Sequence, residues 1–370
     1  MKGWKQVRRL FPALENYTYL NAASGSPLSK RAARGAKRYY DEMLQHGDVP
    51  WDKWLERKEK IRDTLADFIG AIPAEVAFTL NTSHGMNLIA EMLKGKGEVL
   101  TMKDEFPSST LPWIHRGFKL RFIRPARGVY TLQRIEEQIS PHTKILLTSH
   151  VQYRTGFRQD LEAVGNLCRR KNLIFVVNAT QSLGAFPVDV KRDNIDFLAF
   201  LGLKWPVAGY GIGGLYIGEK WLRSIRFPMV GWKSMKDPES MDNRKIHLRR
   251  EASALEMGCP HFPGIFALGQ SLELFQSIGK KRIRKRILDL GKYLAGKLEK
   301  MGLEILSPLE PGCRSGITIV KVDNPEDVRE RLKRKNIIVS ARGGGLRIST
   351  HFYNNRTDID TLIKGLKEIT

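Results

Sequence analysis

The sequence predicts an α/β protein with a mostly parallel sheet, followed by a smaller C-terminal α+β domain. Three observations carry the prediction. Short runs rich in β-branched and aromatic residues, EVLTM, LRFI, KILLTSHV, LIFVV, DFLAF and GGLYIG, recur along the first 220 residues. Longer amphipathic stretches such as LEAVGNLCRRKN lie between several of them, which is the rhythm of strand, crossover helix and strand. After about Gly258 the character changes. A long amphipathic helix there runs from GKKRIRKR (Gly279 to Arg286) through LDLGKYLAGKLEKMG. ITIVKV, a helix at PEDVRERLKRKN, then IIVSAR, LRIST and a last helix from Arg356 complete the small domain. No internal repeat, low-complexity segment or Gly/Ser-rich linker separates the parts, so the two domains are expected to pack tightly. The division is placed at residues 21–258 for the large domain and 259–370 for the small one.

Bulk composition narrows the function classes. A chain of 370 residues, 42% hydrophobic, supplies a large core and has room for a whole enzyme. No apolar run reaches the roughly 20 residues that span a bilayer. The N-terminus, MKGWKQVRRLFPALENY, is amphipathic and has no secretory apolar block, so a cytoplasmic protein with no membrane role is expected. Cys168, Cys259 and Cys313 are far apart, odd in number and outside any CxxC spacing, which argues against a disulfide framework and against a metal site. Lys and Arg total 62 against 39 Asp and Glu, a formal charge of +23. The dense run GKKRIRKR reads as a solvated helix face, or as a patch that contacts nucleic-acid phosphates.

In an open parallel sheet the ligand lies beyond the carboxyl ends of the strands, and four such places draw attention. After VAFTL, Thr82, Ser83 and His84 open a helix whose free N–H groups suit a phosphate, although a plain N-cap uses the same residues. After LIFVV, Asn178 and Gln181 stand where polar side chains reach a bound ring or simply form a turn. After DFLAF, Lys204 sits alone among apolar residues and glycines. Desolvation there lowers a lysine pKa and makes the amine a nucleophile fit for a Schiff base; a lysine snorkelling from the core edge is the other reading. In the turn ARGGGLRIST, Arg342 and Arg347 can each fork onto a carboxylate.

The order of these motifs resembles the class V aminotransferase family of fold type I pyridoxal-5′-phosphate (PLP) enzymes, in its isopenicillin N epimerase-like or cysteine desulfurase-like branch. The resemblance covers nearly the whole chain: YLNAASGSPLSKRA, FTLNTSHGMNL, DEFPSSTLPW, SHVQYRTGFRQDLEAVG, NATQSLGAFPVDV, LKWPVAGYGIGGLYI and GGGLRISTHFYNNRTDIDTLI. It implies a seven-stranded large domain and residues 1–20 packed with the small domain. It also implies PLP as cofactor, an amino-acid substrate and a homodimer with the site at its interface. Lys204 stands in the place of the Schiff-base lysine, Phe106 in that of the aromatic stacked on the ring, and Gln181 in that of the partner of the ring hydroxyl. Thr82, Ser83 and His84 match the phosphate turn, Arg347 the anchor of the substrate α-carboxylate, and Asn21 the N-terminal segment that passes beside the substrate.

Departures from the family pattern qualify that reading. Asn178 replaces the aspartate that keeps the pyridine nitrogen protonated, and a neutral amide weakens the electron sink. Leu203 and Leu201 stand where histidine and a small hydroxyl residue are common, and Cys259 where threonine is common. No cysteine follows IIVSAR, where desulfurases carry the thiol that accepts sulfur, so a desulfurase is disfavoured. The sequence therefore predicts a PLP-dependent aminotransferase or a lyase acting by C–S cleavage or β-elimination. The alternative is a protein of altered or absent catalysis that keeps the fold and binds nucleic acid through its basic surface.

Overall fold

A computed structural model describes residues 3–369; the outermost residues of the expected N-terminal segment and small domain lie outside it. Twelve strands are found among the described residues. In chain order they are β1 (Thr18–Tyr19), β2 (Val76–Thr79), β3 (Glu98–Met102), β4 (Leu120–Ile123), β5 (Thr143–Ser149), β6 (Ile174–Asn178), β7 (Phe197–Leu201), β8 (Gly213–Ile217), β9 (Ile317–Val320), β10 (Ile337–Ile338), β11 (Ser340–Arg342) and β12 (Gly345–Ser349). Seven form the large sheet in the order β2-β8-β7-β6-β5-β3-β4. Only β8 opposes its neighbours; the other pairs are parallel. The expected α/β architecture with a mostly parallel seven-stranded sheet is thus present.

Why the strands read as continuous apolar runs is visible in the core. Phe175 and Val177 enter one buried cluster, whereas Ile174 and Val176 enter a second on the opposite face. Alternate residues face opposite sides of a sheet, so two covered faces demand apolar side chains at every position. From β3 the chain steps outward to β4, returns to β5 beside β3, and proceeds through β6 to β7 in the other direction. That reversal opens a crevice beyond the strand ends.

A third cluster, including Leu290, Leu294, Leu298, Val320, Leu332, Ile348 and Leu362, belongs to the C-terminal unit. The IIVSAR run is two strands and not one: β10 pairs with β1, while β11 pairs with β12 in an antiparallel sheet with β9. Near the chain start, Arg8 donates to both Asp358 oxygens at 2.7 and 2.9 Å. The helix Phe262–Ile278, which the sequence reading puts at the head of the small domain, packs on the helices Lys30–His46 and Trp51–Ile69 beside the large sheet. A Cβ at Gly35 would meet the Phe266 carbonyl at 2.6 Å, so only glycine permits this approach.

The basic run lies on the helix Lys280–Glu299, which buries Ile283, Ile287, Leu290 and Leu294. Its cations are partly occupied: Lys280 donates to the Phe68 carbonyl, Arg282 and Arg286 flank the Trp4 ring, and Lys285 pairs with Asp289. These contacts suit the solvated-face reading.

Candidate active site

A cavity of about 330 Å³ opens at the crevice, within the size range of small-molecule sites. Thr82, Ser83, Phe106, Asn178, Gln181, Lys204 and Arg347 line it together, and Arg342 joins them. They come from the ends of β2, β3, β6 and β7 and from the β11–β12 hairpin, which explains why residues 265 positions apart meet.

Asn81 caps the helix Thr82–Met92, its side chain accepting the His84 N–H at 2.9 Å. The helix start is pressed onto β7: a Cβ at Gly85 would lie 2.9 Å from that of Ala199. Asn81, Thr82 and Ser83 at this helix start line the cavity. Thr82 and Thr180 share a 2.5 Å hydrogen bond, and Ser83 and Ser108 one of 2.8 Å. Such a cup suits a phosphate. His84 turns away: its Nδ1 accepts the Leu80 N–H at 3.4 Å, and its ring borders a neighbouring pocket with Gly211, Cys259 and His261. Asn21 also lies outside the cavity lining. It bridges to Ser349, and Ala23 and Ser24 from the same segment reach the cavity instead.

Phe106 precedes Pro107, whose fixed φ starts the helix Pro107–His115 and leaves Phe106 extended at the N-cap. Its ring meets Tyr153 edge-on at 5.1 Å and carries the Lys204 ammonium 5.6 Å from its centroid. Lys204 follows β7 on a loop held by its neighbours. Trp205 is buried, donates from its indole to Gln181 Oε1 at 2.9 Å and stacks on His351. Three residues after Lys204, Val207 has φ of +51°, an uncommon conformation for a β-branched residue. Lys204 has no ion-pair partner among the described residues, and burial together with Arg347 and Arg342 lowers its pKa to about 8. The amine is therefore available as a nucleophile near neutral pH.

Arg347 donates to Ser340 Oγ, the Tyr153 carbonyl and Ser24 Oγ at 3.2, 3.2 and 2.7 Å. All three partners are uncharged, so the guanidinium keeps its charge for a ligand, and burial with Arg342 nearby lowers its pKa to about 10. Gln181 is fixed from both ends, its Nε2 donating to the Ala23 carbonyl at 2.9 Å. Leu201 lines the cavity, whereas Leu203 packs against Gly25.

Asn178 heads a chain of donors. Thr180 N–H donates to its Oδ1 at 2.9 Å, which fixes the amide, and its Nδ2 donates to Ser109 Oγ at 2.8 Å. Ser109 in turn reaches the buried Glu105, which also accepts from Ser149 N, Ser149 Oγ and Gln152 Nε2 at 2.6, 2.6 and 2.7 Å. Burial pushes the Glu105 pKa up while these donors hold it down. The Glu105 carboxylate is thus separated from Asn178 by Ser109. Asn178→Asp would bring an acceptor where a donor now stands and force Ser109 to choose between two carboxylates. We expect the variant to lose about 1–3 kcal/mol in urea unfolding and to strengthen any reaction that places an electron pair at the substrate Cα. Unchanged stability and unchanged turnover would remove the special role of this position.

Asn81, Ser24, Ser108, Ser149, Tyr153 and Thr180 line the cavity without having been singled out. Each lies inside a motif already quoted, but only the direction of the side chain distinguishes it from its neighbours.

An α/β fold with a lysine, a hydroxyl-lined helix start and a buried arginine around one cavity beyond its strand ends is the arrangement of fold type I PLP proteins. The Aminotransferase class-V family model matches residues 18–362, and the chain belongs to that family. An uncharacterized aminotransferase, YcbU, of Bacillus subtilis is 29% identical, covering 96% of this chain and 95% of its own. A probable cysteine desulfurase of Pyrococcus abyssi is 30% identical, with 99% and 97% covered. Among solved structures, the apo cysteine desulfurase of Thermococcus onnurineus superposes with a TM-score of 0.92 at 26% identity, covering 100% of this chain and 98% of that one. The C–S lyase C-DES, solved with glycine covalently linked to its PLP cofactor, gives 0.89 at 22%, with 97% and 98% covered. PLP is the cofactor the family implies, and the cavity fits it: a hydroxyl cup at a helix start, an aromatic face and an unpaired lysine.

Proposed function

We propose that the protein acts on an amino acid, as an aminotransferase or as a lyase that cleaves C–S bonds or eliminates at Cβ, with Lys204 holding PLP. The observation that carries this reading is the presence of Lys204, unpaired and desolvated, in one cavity with Arg347. PLP, when bound, supplies the electron sink that carbanion chemistry at an amino acid requires. The chain supplies the rest. Thr82, Ser83, Ser108 and Thr180 would hold the phosphate, and Phe106 and Gln181 the ring. Asn178, with one amide N–H still uncommitted, can donate to a ring nitrogen. Arg347 would orient the substrate through its α-carboxylate, and the Lys204 amine would take and return the proton at Cα.

The thiols support this choice over sulfur transfer. No cysteine lines the cavity among the described residues; Cys168 is buried, and burial raises its pKa and that of Cys313. Exposed Leu80 and Tyr210 on loops flanking the site suit a homodimer that completes it. No helix among the described residues is long and apolar enough to cross a membrane. The relatives named above give no support to the alternative of a non-catalytic nucleic-acid binder.

Borohydride reduction after incubation with PLP, followed by peptide mapping, tests the reading. A permanent pyridoxyl mark is expected on Lys204. The rate at which apo-protein captures PLP should rise about tenfold per pH unit up to about 8, where the amine becomes neutral, and then level off. A mark on another lysine, or no mark, would overturn the assignment.

A further inference from the structure

We propose that Arg342 reads a second acidic group on the substrate, which makes the substrate a dicarboxylic amino acid. The inference rests on the reading of Lys204 as the cofactor lysine and adds the substrate class to it.

Charge counting in the cavity comes first. Its lining includes three cations, Lys204, Arg342 and Arg347, and no Asp or Glu. Acidic partners are available to other guanidinium groups, one of them close by: Arg154 has Asp104 at 3.7 Å, and buried Arg62 has Glu59 and Glu256. Arg342 has no ion-pair partner among the described residues. Replacement of the family aspartate by Asn178 leaves this cavity still more positive. A cleft of one sign attracts and holds ligands of the other. A phosphate at the cup and an α-carboxylate at Arg347 leave Arg342 unanswered.

Strand register then shows that the two arginines act on the same ligand. In the β11–β12 hairpin Ser340 faces Arg347, and Arg342 faces Gly345. Residues two apart on a strand share a face, so Arg342 and Arg347 are diagonal neighbours on one side of the hairpin. That relation places their backbones about 7–8 Å apart. Glycine opposite Arg342 offers no side chain to engage it. Gly343 and Gly344, at φ of +69° and +84°, make the tight turn, and a Cβ at Gly343 would strike the Arg154 carbonyl at 2.2 Å. The hairpin thus holds two forks beside Lys204 at a spacing that a short chain with a carboxylate at each end can bridge.

The test uses the PLP-loaded protein. Borohydride mapping first establishes the mark on Lys204 in the same preparation. The visible spectrum of the bound cofactor is then titrated with aspartate, asparagine, glutamate, glutamine and O-phosphoserine, for the native chain and for Arg342→Gln. One of the two acids is expected to bind about 10- to 100-fold tighter than its own amide, the worth of a charge-assisted hydrogen-bonded pair. In Arg342→Gln that ratio should fall close to one. Because the readout is a ratio within each protein, a general loss of affinity does not imitate it. Equal binding of acid and amide by the native chain, or a native-sized ratio in the variant, overturns the proposal. Tighter binding of O-phosphoserine than of either dicarboxylic acid overturns the carboxylate assignment. Absence of the Lys204 mark overturns the cofactor reading and this one with it, whereas a mark without acid preference overturns this one alone.

Discussion

Lys204→Met is expected to lose the pyridoxyl mark and to cut turnover on the order of 10²–10⁴-fold, while making the apo-protein harder to unfold. Both effects arise from one cause. Burial and the charges of Arg347 and Arg342 lower the Lys204 pKa from 10.5 to about 8. The folded state therefore binds this proton more weakly than the unfolded chain does. Below about pH 8 the ammonium must be carried in the fold at a cost, and between 8 and 10.5 that cost fades as the unfolded chain loses its advantage. Methionine fills the space without a charge. After discounting for the solvent that reaches the cavity, the gain at pH 7 is about 1–2 kcal/mol. Urea unfolding of the two apo-proteins at several pH values measures it. The gap should be widest below pH 8 and close toward 10.5; a gap that does not vary with pH would mean that packing, not charge, separates them. Function here is held at the expense of stability, as sites with unpaired charges require.

The legibility of the sequence followed the same division between local and distant information. Both covered faces of the large sheet oblige nearly every residue of β6 and β7, and the centre of β5, to be apolar, so the strands stand out as runs. Lys204, Asn178 and Gln181 draw attention because they follow such runs, and the cavity opens at those strand ends; Phe106 enters only through the resemblance. Direction was less accessible. Each residue of a helix turns about 100° from the last, and Thr82, Ser83 and His84 are consecutive. The first two face the cavity and the third does not, a fact set by the Leu80 N–H that His84 accepts. Asn21 is a related case: its segment passes the cavity, but Ala23 and Ser24 are the residues that line it.

Pairing over long separations was not legible at all. IIVSAR reads as one strand, yet Ile337–Ile338 is claimed by Thr18–Tyr19 near the chain start, and Ser340–Arg342 by the following strand. The helix Phe262–Ile278 has apolar residues around its whole circumference and is buried by the helices on which it lies. Periodicity gives such a helix no preferred face, so nothing local assigns it to one unit or the other. The +23 charge is partly absorbed by backbone carbonyls and aromatic rings, as Lys280, Arg282 and Arg286 illustrate. In the cavity it is not absorbed, and there the excess becomes a statement about the ligand.

Glu256→Gln is expected to destabilise the protein by about 3–5 kcal/mol, the cost of leaving buried cations without their carboxylate. Glu256 accepts from Arg62 Nη1 and Nη2 at 2.5 and 2.9 Å, from Lys58 at 2.8 Å and from the Phe78 N–H at 2.8 Å. Glutamine offers one oxygen to these donors and turns N–H groups toward the rest. Arg62 would retain Glu59, which is half-exposed and cannot replace a buried partner. Burial alone would raise the Glu256 pKa, but Arg62 and Lys58 outweigh it and hold it at about 2. The folded state thus favours the ionised form, a contribution complete above about 4.5 and lost as pH falls toward 2. Urea midpoints of the native chain should drop steeply across that window, and those of Glu256→Gln less so. The cluster also ties Phe78 on β2 to the turn Ala252–Leu255, and so to the Gly258–His261 segment beside His84. Loosening it should weaken PLP retention along with stability; a variant that loses stability but keeps its cofactor would show that the neighbouring pocket is independent of the phosphate cup.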